Sequence, residues 1–65
     1  MKWYKAEHRH PFYDYIYICA VYATSPENAL IKWSRAHGYL GAPPSVFIDS
    51  NPLNENEIES YRIIR

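Results

Sequence analysis

Three histidines and a single cysteine are the side chains of this chain that could most readily do chemistry. His8 and His10 are two residues apart, so in a β-strand they would share one face and could bind a metal ion. Cys19 or His37 could complete such a site, but a structural zinc site needs four ligands and this spacing has little specificity. We therefore expect no bound metal and no cofactor.

The histidines also suggest general acid–base catalysis. His37 could exchange protons with Asp14 or Glu27, as in a small RNA-cleaving toxin built on scattered histidines and tyrosines. Cys19 is a poor candidate nucleophile, because its aliphatic neighbours in the sequence disfavour the thiolate. The chain has only two glycines and no glycine-rich phosphate loop. Without a local catalytic motif, we expect that the protein is not an enzyme, and the toxin is kept as an alternative.

Tyrosines dominate the segment 13–23, which alternates like a strand with two different faces. The aromatic face carries Tyr13, Tyr15, Tyr17, Cys19 and Val21. The aliphatic face carries Ile16, Ile18 and Ala20. A single helix can cover only one face of a sheet, and we predict that Trp33 of the helix packs against Ile16 and Ile18. The tyrosines would then be exposed.

An exposed tyrosine face favours a binding function. Tyrosine is a frequent anchor of protein interfaces, because it supplies a large contact area at low entropy cost. The predicted contact residues on this face are Tyr13, Tyr15 and Tyr17. The alternative is a single-stranded nucleic-acid binder, in which bases stack on aromatic strands beside basic side chains. Its residues would be Tyr4, Tyr13, Tyr15, Lys5 and Arg9.

Charge favours the protein partner over nucleic acid. The formal net charge is zero with neutral histidines, whereas proteins that bind nucleic acid are usually strongly basic. Four carboxylates fall in one later stretch that contains no lysine or arginine: Asp49, Glu55, Glu57 and Glu59. Such carboxylates can pair with an arginine- or lysine-lined groove of a partner. If that groove normally holds nucleic acid, the protein would act as a competitor.

The elements that must position these residues are four strands and one helix. The predicted strands are 3–8, 13–23, 45–49 and 59–64, with the first two forming an antiparallel hairpin. A polar hairpin loop, 49–57, would join the last two strands, and a final helix through Ile58 and Tyr61 is the alternative to the fourth strand. The order β-β-α-β-β predicts a single small α+β domain with one helix on one face of an antiparallel sheet.

The helix has clear start and stop signals. Ser25 can accept a hydrogen bond from the first turn, and Pro26 stands where its missing N–H has no cost. Its apolar stripe is Ala29, Leu30, Trp33 and Ala36. Gly38 is the expected end, because glycine readily adopts the left-handed conformation that a helix terminus often requires.

Size and composition bound the remaining possibilities. A chain of 65 residues builds one small core, so dimerisation is a plausible source of extra stability. The single cysteine predicts a reducing compartment, and we expect a cytoplasmic protein. The start of the sequence does not resemble a signal peptide, and no apolar stretch is long enough to span a bilayer.

The strand-to-helix joint at 23–30, with the sequence ATSPENAL, resembles that of small β-β-α-β proteins from phages and mobile elements. In size, architecture and lack of catalytic motifs, the whole chain is similar to anti-CRISPR proteins. The resemblance implies a non-enzymatic inhibitor that occupies a surface of a host nucleoprotein complex, such as a CRISPR effector. It assigns no individual site residue.

Overall fold

The computed structural model describes residues 1–10, 12 and 15–65. Its elements follow in the order β1 (Lys2–Arg9), β2 (Ile16–Ala23), α1 (Pro26–Ala36), β3 (Val46–Ile48), a 3₁₀ helix (Glu55–Ser60) and β4 (Arg62–Ile64). The fold is α+β, as the sequence predicts. None of the helices in the described parts of the chain is long and apolar enough to cross a membrane.

The four strands form one mixed sheet in the order β3-β1-β2-β4. β1 and β2 are antiparallel over their full lengths, with Lys5 opposite Ala20, and β3 is antiparallel to β1. β4 is parallel to β2, with Ile63 opposite Ala20. The prediction of an entirely antiparallel sheet is therefore wrong, because β3 and β4 lie at opposite edges and cannot form a hairpin.

The segment between β3 and β4 explains this topology. The backbone N–H groups of Asp49 and Leu53 donate to the carbonyl oxygens of Lys5 and Trp3, so the chain first follows the outer edge of β1. The 3₁₀ helix then crosses to the far edge of β2, where β4 begins. The predicted hairpin loop at 49–57 is thus a crossover, and the predicted fourth strand is a strand only from Arg62 onward.

Both ends of α1 are built as the sequence predicts. The Ser25 hydroxyl accepts a hydrogen bond from the Asn28 N–H (3.1 Å), and Pro26 occupies the first turn. At the other end, Gly38 has a φ of +80°. Its N–H donates to the Arg35 carbonyl, and the Tyr39 N–H donates to the Ser34 carbonyl, which together make a Schellman motif.

The helix covers the sheet face opposite to the predicted one. Its Trp33 is fully buried in one cluster with residues from β1, β2 and α1: Tyr4, Ala6, Cys19, Val21, Ala23 and Ala29. Tyr17 packs against this cluster and is half-buried. The helix therefore seals the face of Tyr17, Cys19 and Val21, and the predicted packing of Trp33 on Ile16 and Ile18 is wrong. In β2, Trp33 packs in one cluster with Cys19 and Val21 rather than with Ile16 and Ile18.

The other side of the sheet, here called the open face, is only partly covered. Ala20 lies on it and is nevertheless fully buried, and Ile58 of the 3₁₀ helix is also buried. Tyr61, which follows that helix, is close enough to Lys5 to influence its charge. The 3₁₀ crossover thus shelters the part of the open face around Ala20, and the part around Ile16 and Phe47 stays exposed.

Candidate functional site

Histidine, tyrosine, cysteine and arginine side chains come together at the C-terminal end of α1, facing β2 and β4. There the protein has a cleft of about 460 Å³, which we call the histidine cleft. Its polar and sulfur-bearing lining consists of His8, Tyr15, Tyr17, Cys19, His37 and Arg62. Among the described residues that line it, none is acidic.

His8 is half-buried beside this cleft and is held by Ser45. The His8 Nε2 atom and the Ser45 Oγ atom are 3.0 Å apart. Burial is the main reason that the pKa of His8 is lowered from 6.5, and the neighbouring His10 and His37 lower it further. Near neutral pH, His8 is therefore an uncharged imidazole.

His37 has a defined orientation at the end of the helix. Its Nδ1 atom is 2.8 Å from the Trp33 carbonyl oxygen, which can only accept a hydrogen bond, so Nδ1 carries a proton. The imidazole ring also stacks on Trp33, with ring centroids 4.1 Å apart and planes 19° apart. The Nε2 atom is thus the ring nitrogen that remains for a ligand in the cleft.

Aromatic contacts fix the cluster as a whole. Trp33 contacts His8 (5.0 Å between centroids) and stacks on Tyr39 (5.7 Å), in addition to its contact with His37. His8 and His10 are 6.3 Å apart, so the two histidines do share a region as the sequence predicts. A rigid, fully buried indole therefore supports two of the three imidazoles.

Cys19 forms part of the floor of the cleft and is a free, fully buried cysteine. Burial raises the pKa of its thiol, and the indole N–H of Trp33 opposes this rise without reversing it. That N–H makes no hydrogen bond of normal geometry, which limits its influence. The thiol stays protonated, as expected for a small buried side chain and unlike an activated nucleophile.

Arg62 provides the permanent positive charge of the cleft. It is the first residue of β4, exposed to solvent, and its guanidinium carbon lies 5.6 Å from the centroid of the Tyr17 ring. A cation held over an aromatic face is pre-oriented by the quadrupole of the ring. Tyr17 and Arg62 together therefore place a cationic group beside an aromatic ring.

The geometry does not support the pairing of His37 with Glu27 that the sequence suggests. Glu27 is in the first turn of α1 and His37 is beyond its last turn, so the length of the helix separates them. Asp14 lies outside the described residues. In the part of the chain that the structure describes, no group of three or more histidine, cysteine or acidic side chains could hold a metal ion.

The predicted tyrosine face is not a free surface. Tyr15 is exposed but precedes β2, Tyr17 is half-buried beneath the helix, and Tyr13 lies outside the described residues. The predicted stacking platform for nucleic acid also fails as a single surface. Tyr4 is buried in the core, and Lys5 and Arg9 point to the open face, because successive residues of β1 alternate sides.

A second candidate surface lies on the open face. Phe47 is 66% exposed, and Ile16 and Ile63 are each 45% exposed, while Ile18 between them is half-buried. We call Ile16, Ile18, Phe47 and Ile63 the apolar patch. Glu7 stands within it, and Ile63 also borders the histidine cleft at the sheet edge. Exposed large apolar side chains grouped on one face are typical of a docking surface.

Acidic side chains lie on the same side of the sheet as this patch. Glu55, Glu57 and Glu59 are exposed on the 3₁₀ helix that crosses the open face, and Glu55 lies beside Trp3 and Tyr22. Asp49 is half-buried just after β3, and its carboxylate accepts a hydrogen bond from the Asn51 N–H. The carboxylates predicted as contacts are therefore on the open-face side, whereas Tyr17, predicted with them, is on the helix side.

Phe47, Ile63 and Arg62 are the surface residues that sequence reasoning missed. The alternation of Phe47 against Val46 and Ile48 is visible in the sequence, and it places Phe47 on its own side of β3. Arg62 and Ile63 alternate in the same way in β4. The sequence does not indicate which face of the sheet the helix packs against.

Neither a protein-family model, nor a curated protein sequence, nor a solved structure matches this chain significantly, so its function has to be argued from the two surfaces themselves.

Proposed function

We propose that the protein is a non-enzymatic binding module that docks a basic partner protein on its open face. The observation that carries the proposal is the apolar patch, in which Ile16, Phe47 and Ile63 are 45–66% exposed on one side of a small sheet. Removing such side chains from water stabilises an interface by about 25 cal/mol for each Å² of apolar area buried.

Charge defines the chemistry of the partner. The exposed carboxylates of Glu55, Glu57 and Glu59 lie on the same side of the sheet as the patch, where Lys5 is occupied by its ion pair with Glu7 (3.3 Å). Arg9, opposite Ile16, is an exposed cation on this side. A partner surface with an apolar centre and flanking lysine or arginine side chains complements this arrangement. Grooves that handle nucleic acid have this character, which is the basis for extending the proposal to an inhibitor of the anti-CRISPR type. A cytoplasmic location, argued from the single free cysteine, belongs to the same proposal.

The test compares proteins captured from a cell lysate by the immobilised wild type and by variants. We expect Phe47→Ser to lose the specific partner, and the double variant Glu55→Gln with Glu59→Gln to weaken its capture at low salt. Leu40→Ser is the matched control, because Leu40 is fully exposed outside the patch. A partner that Phe47→Ser retains, or that Leu40→Ser loses equally, would overturn the proposal.

Light scattering after size exclusion distinguishes a foreign partner from a second copy of the chain. We expect the wild type to have the mass of a 7.7 kDa monomer. A dimer that dissociates on Phe47→Ser would mean that the patch binds a second copy, which would also overturn the proposal of a foreign partner.

A further inference from the structure

We propose that the histidine cleft binds a nucleotide, with the aromatic base beside Tyr17 and Tyr15, the phosphate held by Arg62, and a ribose hydroxyl donating to Nε2 of His37. This site is on the helix side of the sheet and shares only Ile63 with the apolar patch. The ligand is therefore a second one, and the protein partner proposed above does not need it.

Size and shape suit a ligand of this class. The cleft has a volume of about 460 Å³, within the range of about 300–1,000 Å³ that is usual for small-molecule sites. Ala36, Cys19, Ile63 and Ile64 supply apolar lining between the polar groups. A planar ring that enters the cleft can lose water against these side chains.

The charges identify the anionic part of the ligand. The guanidinium of Arg62 is a planar fork of donors that matches a phosphate, and it lies 5.6 Å from the centroid of the Tyr17 ring. Nε2 of His37 is an acceptor for a hydroxyl group of the ligand, because the proton on Nδ1 is donated to the Trp33 carbonyl. No described lining residue is acidic, so a phosphate entering the cleft meets no opposing carboxylate there.

The aromatic side chains identify the rest of the ligand. Tyr17 and Tyr15 both line the cleft, and a nucleobase stacked on a tyrosine is stabilised by the aromatic contact. A simple anion such as inorganic phosphate would use Arg62 but would leave the tyrosines unused. The combination of a cationic fork and aromatic walls therefore favours a ligand that carries a base and a phosphate on the same molecule.

A neighbouring cleft offers an internal comparison. On the open-face side, Arg65 lies over the Trp3 ring (5.8 Å) in a cleft of about 440 Å³. That cleft resembles the histidine cleft in its arginine and its aromatic rings, but Lys2 and Glu55 also line it and no histidine does among the described lining residues. Arg65 carries the same charge as Arg62 beside an aromatic ring outside the histidine cleft, which makes it the matched control.

The experiment is calorimetric titration of the wild type with adenosine monophosphate, adenosine and inorganic phosphate as separate probes. We expect the monophosphate to bind, and the nucleoside and the free anion to bind at least tenfold more weakly. Arg62→Gln should weaken binding of the monophosphate by about 10–100-fold, as expected for a lost hydrogen bond to a charged group. Arg65→Gln should leave binding unchanged.

A short single-stranded RNA tested in parallel identifies the source of the nucleotide. Binding of the RNA but not of the monophosphate, with loss on Arg62→Gln, assigns the cleft to a nucleotide within a strand and supports the proposal. Absence of binding for both probes would overturn it. Equal losses from Arg62→Gln and Arg65→Gln would also overturn it, because they would indicate attraction by charge alone.

Discussion

At the scale of single residues, His8 links the cleft to the stability of the fold. Its ring is surrounded by Ser45, Trp33, Tyr39 and the two other histidines, and no described carboxylate is among these neighbours. Protonation would place a charge in a partly desolvated site beside further imidazoles. The sequence indicated that His8 and His10 lie together, but it did not indicate the burial that lowers the pKa of His8.

This environment predicts that the protein loses stability when the pH falls below that of neutral solution. The pKa of His8 is lower in the folded than in the unfolded protein, where it is near 6.5, so the unfolded chain binds more protons between these two values. The contribution of His8 to the free energy of unfolding is complete above pH 6.5 and is lost as the pH falls through the folded pKa. Urea unfolding at pH 7.5 and pH 5 measures the effect.

The His8→Gln variant isolates the contribution of this residue, since glutamine can still reach the Ser45 hydroxyl. We expect the variant to lose less stability than the wild type between the two pH values, because glutamine does not bind a proton in this range. His10 and His37 are present in both proteins, so the difference reports on position 8. An identical loss in the two proteins would show that His8 does not carry the effect.

At the scale of elements, the features that depend on residues close in the sequence are the ones predicted correctly. The features that depend on residues distant in the sequence are not. The helix is specified locally by Ser25, Pro26 and Gly38, and the structure confirms each of these roles. The alternation of β2 is local too and is also confirmed. The 3₁₀ crossover is different, because it joins strands at opposite edges of the sheet, and its residue Ile58 is buried although the first two strands are distant in sequence.

The end of the helix provides a prediction with a control in the same loop. Gly38 has a φ of +80°, and a methyl group added to its Cα would meet no atom of another part of the chain within 4 Å. Gly41 has equal space without a left-handed backbone. We expect Gly38→Ala to destabilise the protein by about 1 kcal/mol through backbone strain alone. We expect Gly41→Ala to change stability by less than about 0.5 kcal/mol.

Urea midpoints of the two variants and the wild type decide the matter. Equal midpoints for Gly38→Ala and Gly41→Ala would contradict the Schellman motif as the conformation of the helix end in solution. A difference confined to Gly38→Ala confirms that the conformation of the backbone, rather than space, makes glycine necessary at this position.

At the scale of the whole molecule, the main question is which face of the sheet the helix packs against. Both faces of β2 carry large apolar side chains, so alternation alone could not distinguish them. On the helix face, the small residues Ala6 and Cys19 lie opposite each other on two strands and pack in one cluster with the large ring of Trp33. This complementarity of volumes depends on register across strands, and no window of the sequence contains it.

That choice predicts opposite costs for two large aromatic residues. Trp33 is fully buried and Phe47 is 66% exposed. Trp33→Ala should cost about 3–5 kcal/mol, which is comparable to the roughly 3–5 kcal/mol that the core of a chain this small supplies. We therefore expect circular dichroism to show that the Trp33→Ala variant is largely unfolded at room temperature. Phe47→Ala should fold and change stability by less than about 0.5 kcal/mol. Trp33→Phe keeps the comparison quantitative, since it should fold with a lower urea midpoint than the wild type. If Phe47→Ala were the more damaging of the two alanine variants, the open face would be the sealed one, and the binding surface proposed there would not exist.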